Sequence, residues 1–295
     1  MAVSIGARGA LGLRKEASFA SGGAIDNWQV IESHAIEKRN NYIYQDRIRN
    51  TPEQFGGQFS HTVVSGQITF PVTPTNPTQW WEAGIGGTGP YTPSIPLGSL
   101  AIEIQEGQIG TVSTSGDMIS RIEFASRKGD ILRCTVGIEG VDMSRRATAT
   151  TASFSSGDDA FLHSECTFTL DGVTNQDVES FSVVKENNNI LDLYGSSPRR
   201  REIPATKAQV TGSIAILFSD ETMKTRFMNQ LPSRISANYV RGGRSFLIEL
   251  NNLNYDTDSR PMEGQTSFIL ETLGFTAFVN DPTAQNSIKV TVDTV

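Results

Sequence analysis

Apolar and polar residues alternate along residues 28–37, 63–70, 99–106, 118–126, 131–141, 244–252 and 266–279. A period of two sends successive side chains to opposite faces, so these stretches predict β-strands with one face buried. Helical spacing is confined to two short places. Asn76 is a capping residue, Pro77 suits a first turn and Gly84 can end a helix that carries Trp80 and Trp81. Further on, Asp220 is the predicted cap of a helix whose apolar face is Met223, Phe227 and Leu231, at i, i+4 and i+8.

The pattern occurs twice. Val64-Ser65-Gly66-Gln67-Ile68 returns as Val210-Thr211-Gly212-Ser213-Ile214, an offset of 146 positions, close to half of 295 residues. Before it, Ile31-Glu32-Ser33-His34-Ala35-Ile36 corresponds to Val178-Glu179-Ser180-Phe181-Ser182-Val183; after it, Leu100-Ala101-Ile102-Glu103-Ile104 is matched to Phe246-Leu247-Ile248-Glu249-Leu250. Each half therefore reads as strand, long loop, strand, helix and further strands. The predicted class is α+β, mainly antiparallel β, in two tandem domains, each a β-sandwich or barrel with one flanking helix. The expected boundaries are a glycine-rich arm over residues 1–22, a first domain at 23–143, a small-polar linker at 144–159 and a second domain at 160–295. A long-period repeat of β pattern favours ring or array building over a single catalytic pocket.

Composition narrows the function. With 37% apolar and 19% charged residues the chain has a globular balance, and no apolar run approaches membrane-spanning length. The first residues lack the apolar core of a signal peptide, so the expected place of synthesis is a cytoplasm. A net charge of −7 argues against a protein whose main task is gripping phosphates. Cys134 and Cys166 have no CxxC spacing and fall at apolar strand positions, as inert buried thiols do.

Catalytic patterns are missing or incomplete. His34, His61 and His163 have neither HxH nor HExxH spacing and read as surface or half-buried side chains. The glycine clusters at residues 6–12 and 84–89 lack the strand-loop-helix context of a phosphate loop, and Asp256-Thr257-Asp258-Ser259 lacks the glycine and final glutamate of a calcium loop. No nucleophile, base and orienter can be named, which predicts a non-enzymatic protein with no cofactor and no metal. Two other signals remain. Basic residues gather in equivalent loops, Lys38, Arg39, Arg47 and Arg49 at 38–62 and Arg199, Arg200 and Arg201 at 195–208. Acids sit between apolar neighbours on strands, Glu103 and Glu249 at positions matched between the halves, with Glu123 and Glu271 on later strands.

In the order of its elements, twice over, the chain resembles the tail tube proteins of long-tailed, siphovirus-type bacteriophages in their tandem-duplicated form. The resembling stretches are Ile31 to Asn41 with the basic loop after it, Val63 to Phe70 and the helix that follows, their second copies, and the Gly6-Ala7-Arg8-Gly9 arm. The resemblance implies a virion protein, assembled in the host cytoplasm, that forms stacked rings through which the genome is ejected. Its implied partners are further copies of itself in three-fold, pseudo-six-fold rings, a tape measure protein in the bore, tail terminator and tail-tip proteins at the ends, and double-stranded DNA in transit without specific binding. About 24 strands at ~4.8 Å and ~40° tilt close a barrel about 48 Å across, wide enough for duplex DNA. On this reading Glu103, Glu249, Glu123 and Glu271 line the bore, the basic loops bridge stacked rings, and the arm orders against a neighbour. A contractile or secretion-type inner tube, a tail-tip ring of the same fold, and a ligand- or carbohydrate-binding β protein are the alternatives.

Overall fold

Alternating sequence becomes alternating burial in a computed structural model, which describes residues 9–45, 55–107, 110–146, 148–154, 159–219, 221–261, 268–280 and 286–293. The first half contains β1 (Ala10–Lys15), β2 (Asn27–Gln29), β3 (Ser33–His34), β4 (Glu37–Gln45), β5 (Phe55–Pro71), α1 (Gln79–Gly84), β6 (Leu100–Glu106), β7 (Gly110–Arg127), β8 (Arg133–Gly140) and β9 (Asp142–Arg146). The second contains β10 (Cys166–Leu170), β11 (Val173–Asn175), β12 (Val178–Glu186), β13 (Gln209–Leu217), α2 (Thr222–Met228), β14 (Ser233–Arg241), β15 (Arg244–Ser259), β16 (Leu270–Ala277) and β17 (Lys289–Asp293). All the strand pairings are antiparallel and the sheet does not close on itself, so the fold is α+β, mainly β. Among the described residues no helix is long and apolar enough to cross a membrane.

Each half is two layers that share one long strand. In the first half, β4, β5, β8 and the C-terminal part of β7 form one layer, and β9, the N-terminal part of β7, β6, β1 and β2 form the other. The second half repeats these pairings with β12, β13, β16 and β15 in the first layer and β17, β15, β14, β10 and β11 in the second. Even the irregularity recurs: β7 bulges between Ile119 and Arg121, and β15 between Tyr255 and Thr257. A bulge bends its strand and sharpens its twist, which suits a strand that passes between layers.

The Val-Ser/Thr-Gly signature has a steric cause. A Cβ on Gly66 would overlap the Ala35 carbonyl, and one on Gly212 would overlap the Ser182 carbonyl and the Phe275 ring. At this crossing only glycine lets the two backbones approach.

Several expected boundaries shift. The arm holds β1, paired with β2 and β6, and its Leu11 and Leu13 are fully buried in the chain's own core. Of residues 38–62, the described parts 38–45 and 55–62 are not loop but paired strand, β4 with β5, extended beyond the layer. Ser144 to Arg146 of the expected linker end β9, paired with β7. α1 begins at Gln79 after Thr78, and Asn76 instead accepts a bond from the Thr73 amide in the preceding turn. Asp220, the expected cap of α2, lies outside the described residues, and Leu231 falls beyond that helix. Cys134 is buried, Cys166 partly so, and both are free. His163 is buried, bonded through its ring nitrogens to the Ser126 hydroxyl and the Val178 carbonyl.

The halves join into one sheet. β12 pairs with β7 from Ser180↔Arg127 to Glu186↔Arg121, so the first layer runs β4-β5-β8-β7-β12-β13-β16-β15 without a break. Ring contacts cross the same seam, Trp81 touching both Phe124 of the first half and Phe246 of the second.

Candidate wall and assembly surfaces

The face of this eight-stranded layer that points away from the core carries short polar groups. Ser65, Gln67 and Thr69 on β5, Thr135 on β8, Ser180 and Ser182 on β12, Thr211 and Ser213 on β13, and Thr272 and Thr276 on β16 are its exposed or half-exposed positions. Hydroxyls bond across strands, Thr69 with Thr135 at 3.1 Å and Ser182 with Ser213 at 3.0 Å. Three of its charges come with partners: Glu123 with Arg121 at 2.8 Å, Arg133 with Glu32 at 2.8 Å and Glu139 with Arg200 at 3.1 Å. The result is a hydroxyl-rich, locally neutralised surface.

Of the four acids singled out, this face receives one, Glu123. Glu103 and Glu249 do not occupy matched positions. Ile102-Glu103-Ile104 lies on β6, whose counterpart is β14, so Glu103 corresponds to Ser236; Glu249 lies on β15 opposite Ser236 and corresponds to Ser113, which is opposite Glu103. Both acids belong to the second layer. Glu103 is 0% exposed, where the alternation predicted a solvated carboxylate. Its oxygens accept from Arg146 Nη1 at 2.7 Å, the Thr150 amide at 2.8 Å, the Thr150 hydroxyl at 2.9 Å and Gln105 Nε2 at 3.3 Å, which fastens the chain after β9 onto the layer. Burial pushes its carboxyl up, and the bonds from Thr150, Gln105 and Arg146 outweigh that and hold it below the usual range. Glu249 pairs with Lys289 at 2.7 Å. Glu271 faces inward on β16, buried against Arg260; burial raises its carboxyl, and Arg260 opposes the rise.

The basic residues divide as well. Arg47 and Arg49 lie outside the described residues. Arg200, expected on a free loop, is buried within the chain, where it donates to Glu139 and to the Gly140 carbonyl. Arg199 and Lys38 both reach Asp142, at 3.0 Å each, and the Pro198 carbonyl accepts from the Thr62 amide. The second-half loop is thus docked on the base of the β4-β5 hairpin; Arg39 and Arg201 remain exposed. What projects from the hairpin is apolar: Tyr42, Ile43, Tyr44 and Phe59 are exposed together, with Tyr42 packed edge-on to Phe59. Exposed apolar clusters of this kind mark contact surfaces.

At the seam, Lys185 on β12 lies opposite Ile122 on β7 and points under α1, where its ammonium donates to the Gly84 carbonyl at 2.9 Å. Asn187 Nδ2 donates to the same carbonyl at 3.0 Å and to that of Ile119 at 2.8 Å. The last carbonyls of a helix need partners and favour positive charge, so the second half caps the helix of the first. Burial pulls the Lys185 ammonium down to about 7. The signal for this site was in the sequence: Lys38 and Asn40-Asn41 recur as Lys185 and Asn187-Asn188, at an offset of 147.

Two edges of the layer stay open among the described residues. β3 and β4 pair with β5 alone, and the Thr257–Ser259 stretch of β15 pairs with β16 alone. These are the counterparts of the two strands that meet in the seam, β12 and β7. Uncovered edges are templates for pairing with another chain.

No curated relative matches the chain. A family model described as phage tail tube protein matches residues 6–277, both halves together. With a duplicated fold, a continuous polar layer and an open edge at each end of it, this chain belongs to the phage tail tube protein family, a structural component of the virion tail.

Proposed function

We propose that the chain is the major subunit of the tail tube of a siphovirus-type phage, and that three copies form a ring whose wall is the eight-stranded layer of each. The observation that carries this reading is the pair of open edges, which repeat the two strands already joined inside the chain. Three copies of eight strands make 24, and at ~4.8 Å per strand and ~40° tilt the barrel is about 48 Å across. Short serine and threonine side chains take little of that width. The open polar face then lines the bore, and the exposed Tyr42, Ile43, Tyr44 and Phe59 on the projecting hairpin contact the next ring.

DNA passes such a wall without being held because Arg121, Arg133 and Arg200 are already paired with carboxylates, leaving few free cations to neutralise phosphates. The bore holds the tape measure protein before ejection, with terminator and tail-tip proteins at the two ends, and the role is mechanical, without catalysis. Negative-stain imaging of concentrated protein is the test. Rings or tubes with a central bore are expected; monodisperse monomers at every concentration would refute the assignment.

A further inference from the structure

The geometry points to a specific register for the contact between copies: β3 and β4 of one chain pair with β15 of the next, placing Lys38 opposite Asp258 of the neighbour. The inference rests on the ring reading and names the residues that close the ring.

Its basis is the internal seam. Ile122 pairs with Val136, which pairs with Ile68; Asp258 pairs with Leu273, which pairs with Ile214, the repeat of Ile68. On the other side, Lys185 pairs with Val210 and Lys38 with Val64, the repeat of Val210. Since Lys185 lies opposite Ile122, continuing the sheet in the same register puts Lys38 opposite Asp258. Directly opposed residues point to the same face, with Cα atoms about 4.5–5.5 Å apart.

Three independent observations fit. First, Asp258 takes the place of an apolar residue on the inward face, and its Oδ1 is buried without a hydrogen bond in the chain. Arg260 Nε lies 3.5 Å from it without forming a hydrogen bond, and the two Nη groups of that side chain hold Glu271 and Glu221. A lysine ammonium from a second chain supplies the missing donor, and a buried acceptor without one is costly. Second, Lys38 can be released. Its acceptors are the Met143 carbonyl and Asp142, and Asp142 is also held by Arg199, so the acid keeps a partner when Lys38 turns to the next chain. Third, α1 at the internal seam buries Trp80 and Trp81, whereas α2 buries none of its residues; Met228 is 67% exposed and Leu231 48%. α1 lies against β7 and α2 against β15, so α2 stands beside the open edge as α1 stands beside the closed one. A second copy of this chain, pairing along the open edge of β15, covers that face.

The test uses the full chain with Lys38→Cys and Asp258→Cys together. Mild oxidation of assembled protein should give chain-to-chain disulfides, seen as a ladder to trimer on a non-reducing gel, because opposed strand residues lie within disulfide reach. Lys38→Cys with Ser259→Cys, whose side chains face opposite ways, should give none. Charge reversal provides a second readout. Lys38→Glu or Asp258→Lys alone should raise the concentration needed for assembly at least about tenfold, and the double reversal should restore it, with unchanged monomer melting showing that each variant folds. Rings of the Lys38→Cys, Asp258→Cys variant that form no 38–258 cross-link, or single reversals that assemble normally, would overturn the register and leave the tube standing. Wild-type protein that never forms rings would overturn the tube reading itself.

Discussion

Asp117 shows how one side chain can set a pH limit on the fold. It is buried on β7, its Oδ2 accepts from the Thr114 hydroxyl, and its Oδ1 has no hydrogen-bond partner in the chain. Burial raises its carboxyl to about 8, the Thr114 bond opposes this, and the charge of Glu16 adds to the rise. Glu16 is itself fixed, accepting from the Ala20, Gly22 and Gly116 amides. The folded state binds a proton that the unfolded state, with an ordinary value of 3.8, has already lost. The stabilisation is therefore full below about pH 4 and disappears as pH rises through about 8. Asp117→Asn keeps the shape without the proton. Thermal melting across pH 5 to 9 should show the wild type losing ground to this variant as pH rises, by at least about 2 kcal/mol at the alkaline end. Parallel profiles for the two proteins would refute the assignment.

At the scale of elements, the two glycines of the repeated signature make a matched test. Gly66→Ala and Gly212→Ala each force a Cβ against a crossing backbone, and each should destabilise the monomer by about 1–3 kcal/mol, while Gly195→Ala meets only open space and should leave melting unchanged. The signature was legible in the sequence because the steric need recurs with the fold. Other elements were not. β1 was read as a flexible arm because of Gly9 and Gly12, yet a side chain at Gly12 would collide with Ile25 and Trp28, so that glycine marks close packing. β14 alternates clearly in Ile235, Ala237 and Tyr239, all buried, and passing over it shifted the alignment of everything after α2 by one strand. That shift paired Glu103 with Glu249. Nothing local in Ile102-Glu103-Ile104 reveals its burial either, since the covering groups, Arg146 and Thr150, lie more than forty residues away. The projecting hairpin gives the second element-scale expectation. Replacing Tyr42, Ile43, Tyr44 and Phe59 with Ser should leave monomer melting within about 0.5 kcal/mol, since all four are exposed, yet stop rings from stacking. Sedimentation separates isolated rings from tubes, and full-length tubes from this variant would remove the hairpin from the stacking contact.

For the whole molecule, the decisive question is which surface faces the genome, and the two layers give opposite expectations. Thr135 and Thr272 occupy equivalent positions on β8 and β16, on the open face of the continuous layer. Thr135→Lys with Thr272→Lys adds two cations per chain to that face; Glu123, opposite Thr135, is already paired with Arg121. If the face lines the bore, every ring presents these lysines to passing phosphates, and each attracts DNA over a screening length of about 8 Å at physiological salt. Virions carrying such tubes should assemble, eject their genome more slowly at low ionic strength and recover as salt is added. Glu249→Lys is the matched control from the other layer, since Glu249 lies on β15 beside Lys289, away from the open face. It adds a like charge next to that lysine and should weaken the monomer slightly without touching ejection. Ejection kinetics measured against salt for the two variants decide between the layers. Wild-type rates from the threonine variant together with slowed, salt-relieved ejection from Glu249→Lys would put the second layer on the bore and the hydroxyl-rich face outside.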